Sequence, residues 1–142
     1  MILLDTAHLS VLRFRSGERC LRLVARMESA KDEVFGTTIV NVAEQMKGWL
    51  AVINKERQAV RQVTGYRELA RLFDFFSSYH IAPFDDAAAA RFEDLRQAKI
   101  RVGTSDLKIA AVALTCDALL LTANRQDFEQ IPGLRFANWL DE

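Results

Sequence analysis

The sequence predicts an α/β protein, a three-layer α/β/α sandwich around a parallel sheet of four to five strands. Three observations predict it. The short strand-like runs, Ile2-Leu3-Leu4 and Ala118-Leu119-Leu120-Leu121 above all, are continuously apolar, as strands covered on both faces are. Segments of helical period separate these runs. Each run also ends in residues that cap helices: Asp5-Thr6, Thr37-Thr38 and Asp85-Asp86. Right-handed crossovers then give the strand order 3-2-1-4, with Ile2–Leu4 central and Leu134–Ala137 as a fifth strand at the edge.

The chain's 142 residues are read as a single domain, 1–142, without linker, repeat or low-complexity segment. Half of the residues are hydrophobic and 27% are charged, a composition that argues against disorder. Lys and Arg number 19, as do Asp and Glu, so a nucleic-acid partner would need a local basic patch. Cys20 and Cys116 make no metal-binding spacing and are expected as free thiols. With no apolar stretch near the length of a membrane span and too short a leading run for a signal peptide, the expected location is the cytoplasm.

In chain order, the first strand delivers Asp5 at its carboxyl end, where open α/β sheets place ligands; a helix cap is the competing reading. Glu18–Ala30 has helical period. Arg15, Arg19, Arg22 and Arg26 would stack on one face if the helix reached back that far, a stripe suited either to phosphate or simply to solvent. Val34-Phe35-Gly36 is the second strand. The helix after it carries the stripe Val42, Ala43, Met46, Trp49, Leu50 and Ile53, with Glu44 beside it and Gly48 expected at a close contact.

Glu56–Tyr79 reads as a helix broken near Gly65, and Tyr66, Leu69, Leu72, Phe73, Phe76 and Tyr79 give it a wide apolar face. His80–Phe84 is the third strand and Ala87–Lys99 the next helix. In the run from Leu107 to Leu114 almost every side is apolar, so this helix should be buried. A carboxylate at its mouth, Asp106, must then either cap it or face a cleft, a cation or hydrogen-bond donors. Beyond the fourth strand come Asn124 and Asp127.

Asp5, Glu44, Asp106 and Asp127 all fall just after strand ends or in early helical turns, on the side of the sheet where sites form. Four converging acids would resist ionising together, and oxygen-only donors favour Mg²⁺ or Mn²⁺ as the counter-charge. One or two such ions could activate water and orient a phosphodiester.

The segments Leu3-Leu4-Asp5-Thr6, Glu44-Gln45-Met46-Lys47-Gly48, Gly103-Thr104-Ser105-Asp106 with Ile109-Ala110-Ala111, and Thr122-Ala123-Asn124-Arg125-Gln126-Asp127-Phe128 together resemble a PIN domain. More narrowly, they resemble the VapC-type toxins of bacterial toxin–antitoxin modules, over essentially the whole chain. The resemblance implies a Mg²⁺- or Mn²⁺-dependent endoribonuclease that cuts structured RNA, tRNA or rRNA, and is silenced by a cognate antitoxin protein. A homodimer without membrane attachment is the expected form. Asp5, Glu44, Asp106 and Asp127 match the family's acidic quartet, and Thr104 and Asn124 match supporting positions. Ala7 departs from the pattern, which usually has Asn or Asp there, so a catalytically weakened module acting mainly through protein binding is the alternative. A phosphotransfer domain with Asp5 as acceptor fits less well. Haloacid-dehalogenase-like folds expect a second Asp at Ala7, and no suitable lysine follows the fourth strand for a receiver.

Overall fold

A computed structural model describes residues 1–15 and 17–142. Its five strands are β1 (Ile2–Leu4), β2 (Phe35–Thr38), β3 (His80–Ala82), β4 (Leu119–Leu121) and β5 (Arg135–Ala137). All neighbours pair in parallel, in the order β3-β2-β1-β4-β5. This is the expected sandwich, with β1 at the centre and β5 at the edge. The helices are α1 (Thr6–Phe14), α2 (Gly17–Ser29), α3 (Ile39–Lys55), α4 (Ala59–Phe76), α5 (Asp86–Gln97), α6 (Thr104–Thr115) and α7 (Arg125–Phe128).

Strand side chains alternate between two apolar layers, which is why the strands read as unbroken apolar runs. Leu3 and Leu120 pack with Phe92 and Leu95 of α5 and with Leu107 and Ile109–Ala113 of α6. Ile2, Leu4 and Leu121 face the opposite way, onto Leu9 and Leu12 of α1, Leu23 of α2, Leu72 and Phe76 of α4, and Trp139 and Leu140 of the tail. The register Leu4↔Leu121 and Thr38↔Ala82 aligns the carboxyl ends of the strands on one edge.

Several local expectations are corrected. The helix expected over Glu18–Ala30 does not reach back to Arg15, which takes a left-handed conformation with φ 45° and ends the separate helix α1. Arg15 therefore leaves the arginine row. The rest of the row is engaged by the tail: Arg19 pairs with both oxygens of Asp141 at 2.9 and 2.6 Å, Arg22 donates to the Leu140 carbonyl, and Arg26 donates to the Glu142 carbonyl at 2.7 Å. Arg26 also lies over the Trp139 ring. In α3, Ala43 and Leu50 are exposed, so the inward stripe is narrower than its period suggested.

The glycines exchange roles. Helix α4 runs unbroken through Gly65, where an added Cβ would meet Ile53 Cγ1 at 2.6 Å, whereas nothing lies within 4 Å of one at Gly48. Gly65 is thus the close contact between α3 and α4. Gly48→Ala is expected to stabilise the fold by about 0.5–1 kcal/mol through helix propensity. Gly65→Ala should lose about 1–3 kcal/mol to overpacking. Urea denaturation checks both, and adding Ile53→Val should not rescue Gly65→Ala, because Val keeps branched carbon atoms at the contact.

Candidate active site

The edge at which the central strands end collects the acids. Asp5 follows β1 directly and holds the N-cap position of α1, yet its side chain makes no cap bond. Its carboxylate turns instead to the neighbouring strands' ends. Thr122, just after β4, donates its hydroxyl to Asp5 Oδ2 at 2.9 Å. Asn41, in the first turn of α3 after β2, donates its amide to Asp5 Oδ1 at 2.8 Å. The capping reading of Asp5 therefore holds for its backbone and fails for its carboxylate.

Asp106 stands in the first turn of α6, whose N-cap is Gly103, so Asp106 and Ser105 are not the cap. Burial, followed by the charges of Asp5, Glu44 and Asp127, pushes the Asp106 carboxyl up to about 6; a hydrogen bond from Asn124 opposes the rise. This electrostatic crowding is the plainest sign that the four acids share one neighbourhood. Asn124 caps α7 and joins two of them, its amide reaching Asp127 Oδ2 at 2.9 Å and Asp106 Oδ2 at 3.4 Å. Glu44 lies on the exposed side of α3, and Thr104 is exposed at the start of α6.

The donor set is hard oxygen from four carboxylates, and its unrelieved mutual repulsion is what a divalent cation would remove. Among the described residues, no three His, Cys, Asp or Glu side chains are gathered closely enough to hold an ion as they stand. Like charges without a counter-ion have no reason to close up, and Asn124 spaces two of them. By chemistry and charge the residues fit Mg²⁺ or Mn²⁺.

Thr38 caps α3 as expected of Thr37-Thr38, and sequence reasoning missed two residues here: Asn41 and the side-chain role of Thr122. Asn41 is fully buried, and its signal was one amide inside the apolar run Ile39-Val40-Asn41-Val42. Ala7, where the resemblance expected a supporting polar group, is half-buried against the second apolar layer. The amide that reaches Asp5 comes from α3 instead.

Next to Glu44 a groove of about 360 Å³ opens between α1, α3 and α4, lined by Phe14, Glu44, Trp49, Val52 and Phe75 among others. The wide apolar face expected on α4 is divided: Leu72 and Phe76 are core, while Tyr66 and Phe73 are 56% and 61% exposed. No helix among the described residues is long and apolar enough to cross a membrane.

No protein-family model matches the chain, and no curated protein matches it. Solved structures do. The chain is similar to a chain of VapBC2 from Rickettsia felis bound to a DNA fragment from its promoter, with 24% identity, TM-score 0.73 and coverage of 98% of this chain and 99% of that one. DNA-bound VapBC from Salmonella typhimurium gives 22% identity and TM-score 0.74 over 97% of both chains. FitAcB from Neisseria gonorrhoeae gives 21% identity and TM-score 0.69 over 100% of both. At these identities the likeness is one of fold, end to end, and the fold is the PIN-like sandwich that the sequence led us to expect.

Proposed function

We propose that the protein is a divalent-metal-dependent endoribonuclease that cleaves structured RNA, tRNA or rRNA, and acts as the toxin of a toxin–antitoxin pair. The single observation that carries this reading is the group of acids at the carboxyl edge of the sheet, where the charges of Asp5, Glu44 and Asp127 add to burial in pushing Asp106 up to about 6. The fold shared with chains from toxin–antitoxin complexes supports it.

Asp5, Glu44, Asp106 and Asp127 would hold Mg²⁺ or Mn²⁺, which when bound supplies a Lewis acid for the phosphodiester and an activated water. The chain's own residues prepare that site. Asn41 and Thr122 hold Asp5 from either side, and Asn124 ties Asp127 to Asp106. Thr104, exposed at the start of α6, would serve as a supporting group. The weakened-module alternative rested on Ala7, and the Asn41 amide at Asp5 removes much of its motive.

The exposed apolar residues supply the partner surfaces of this reading. A cognate antitoxin protein covers the groove between α1, α3 and α4, and a second copy of the chain covers further apolar surface. The test is cleavage of a tRNA and rRNA panel in Mg²⁺, in Mn²⁺ and in EDTA, with light scattering on the same sample. Discrete cuts lost in EDTA and a dimeric mass are expected. Metal-independent cleavage, or none on any structured RNA with a folded protein, sinks the nuclease.

A further inference from the structure

Asp5 receives a hydrogen bond on each of its oxygens, and the two donors stand just beyond the ends of the two strands that flank β1, Asn41 in the first turn of α3 after β2 and Thr122 directly after β4. The donor on the β2 side has the less obvious origin. Thr38 ends β2 and caps α3: its hydroxyl oxygen accepts the backbone N–H of Asn41 at 3.0 Å. The same hydroxyl donates its one proton to Asn41 Oδ1 at 2.7 Å. Both bonds therefore go to a single residue. With its carbonyl oxygen taken by a hydroxyl donor, the Asn41 amide can only present its NH₂ to Asp5, at 2.8 Å, with Thr6 Oγ1 at the margin of reach at 3.4 Å.

Thr38 and Asn41 are fully buried, so water cannot compete for these bonds or permit the amide to turn over. A flipped amide would set its carbonyl against Asp5 Oδ1, acceptor facing acceptor, and would leave the Thr38 hydroxyl proton without its partner. An amide buried in an otherwise apolar run is costly unless every bond is made, and here the bonds end on the carboxylate at the centre of the edge.

We infer that Asn41 is a positioning residue for Asp5: held in one orientation by Thr38, it fixes the direction in which the Asp5 carboxylate offers its remaining lone pairs to a divalent cation. The inference rests on the proposed metal-dependent function. Groups that orient ligands from behind in this way commonly change metal affinity by about 10–100-fold when removed.

The test measures Mn²⁺ binding by electron paramagnetic resonance, and kcat and KM on the cleaved RNA, for wild type, Asn41→Ala, Thr38→Val and Thr38→Ser. Asn41→Ala should weaken Mn²⁺ binding about tenfold or more and lower kcat, with KM unchanged. Thr38→Val should move both in the same direction, and Thr38→Ser, which keeps the hydroxyl, should restore them. Mn²⁺ affinity within about twofold of wild type in a folded Asn41→Ala protein overturns the inference, being far below the expected range. Should Asn41→Ala fail to fold, wild type decides by nuclear magnetic resonance without metal. The Asn41 side-chain amide protons should exchange slowly, and their signals should shift in Asp5→Ala. Fast exchange, or no shift, overturns the inference. Failure of the nuclease reading looks different: wild type then neither binds Mn²⁺ nor cuts RNA, while the amide readout still decides whether Asn41 holds Asp5.

Discussion

Asp106→Asn is expected to lower metal-dependent RNA cleavage by about a hundredfold or more, the scale of losing one preorganised charge-handling group, and to melt at or above wild type without metal. The two halves of this result have one cause. Burial and the charges of Asp5, Glu44 and Asp127 hold Asp106 near 6, so above that pH the folded protein carries a carboxylate it would rather protonate. Removing the charge removes that cost. The full shift corresponds to about 3 kcal/mol, but the side chain is only half-buried, and screening leaves about 1 kcal/mol. Against this stands the loss of a favourable charge in the first turn of α6, about 0.5 kcal/mol. The substituted side chain keeps a carbonyl for Asn124 to donate to, and Gly103 remains the cap.

Adding Mn²⁺ should separate the two proteins further. Wild type gains stability by mass action on a bound ion, and the variant gains little. Calorimetry with and without Mn²⁺, beside a cleavage assay, reads both halves. A variant that unfolds without metal would make Asp106 structural, and one that cuts RNA like wild type would remove it from the site.

Most of this architecture was legible because it is written locally. Apolar runs of three or four residues bounded by capping side chains specify buried parallel strands, and the right-handed crossover then places β1 in the middle. The acids were legible for the same reason: each lies at a strand end or in an early helical turn. What could not be read depends on partners distant in sequence. Gly48 and Gly65 are alike as helical glycines, and only the α3–α4 approach at Ile53 tells them apart. The arginines of α2 show a period but not that Asp141 and the carbonyls of Leu140 and Glu142, more than a hundred residues on, occupy them. Arg15 ends α1 in a left-handed backbone for which its residue type has no preference, with Gly17 at φ 83° opening α2. Asn41 went unread, because only the strand ends bring Thr38 and Asp5 to its two sides.

The second large effect is in acid. His8, one turn beyond Asp5 on α1, is completely buried and accepts the backbone N–H of Trp139 through Nε2 at 3.1 Å. Its Nδ1 then carries the proton of the neutral ring, with no partner among the described residues. Burial lowers His8 to about 4, the charge of Asp5 opposing and that of Arg19 assisting. The unfolded chain takes up this proton near 6.5 and the folded one near 4, so stability is complete above pH 6.5 and falls as pH drops toward 4. The loss approaches about 3 kcal/mol.

Asp106 has the opposite sign. The folded protein binds its proton near 6 and the unfolded chain near 3.8, so its cost is relieved over much of the same interval. Wild type should therefore lose about 2 kcal/mol between pH 6.5 and 4, whereas Asp106→Asn, with His8 uncompensated, should lose about 3 kcal/mol and surrender its advantage by pH 4. Urea midpoints across this range in metal-free buffer measure both slopes. His8→Gln in the Asp106→Asn background should flatten the curve, because no titrating ring remains. If the Asp106→Asn slope equals that of wild type, the carboxyl does not titrate near 6, and neither burial nor the neighbouring charges raise it.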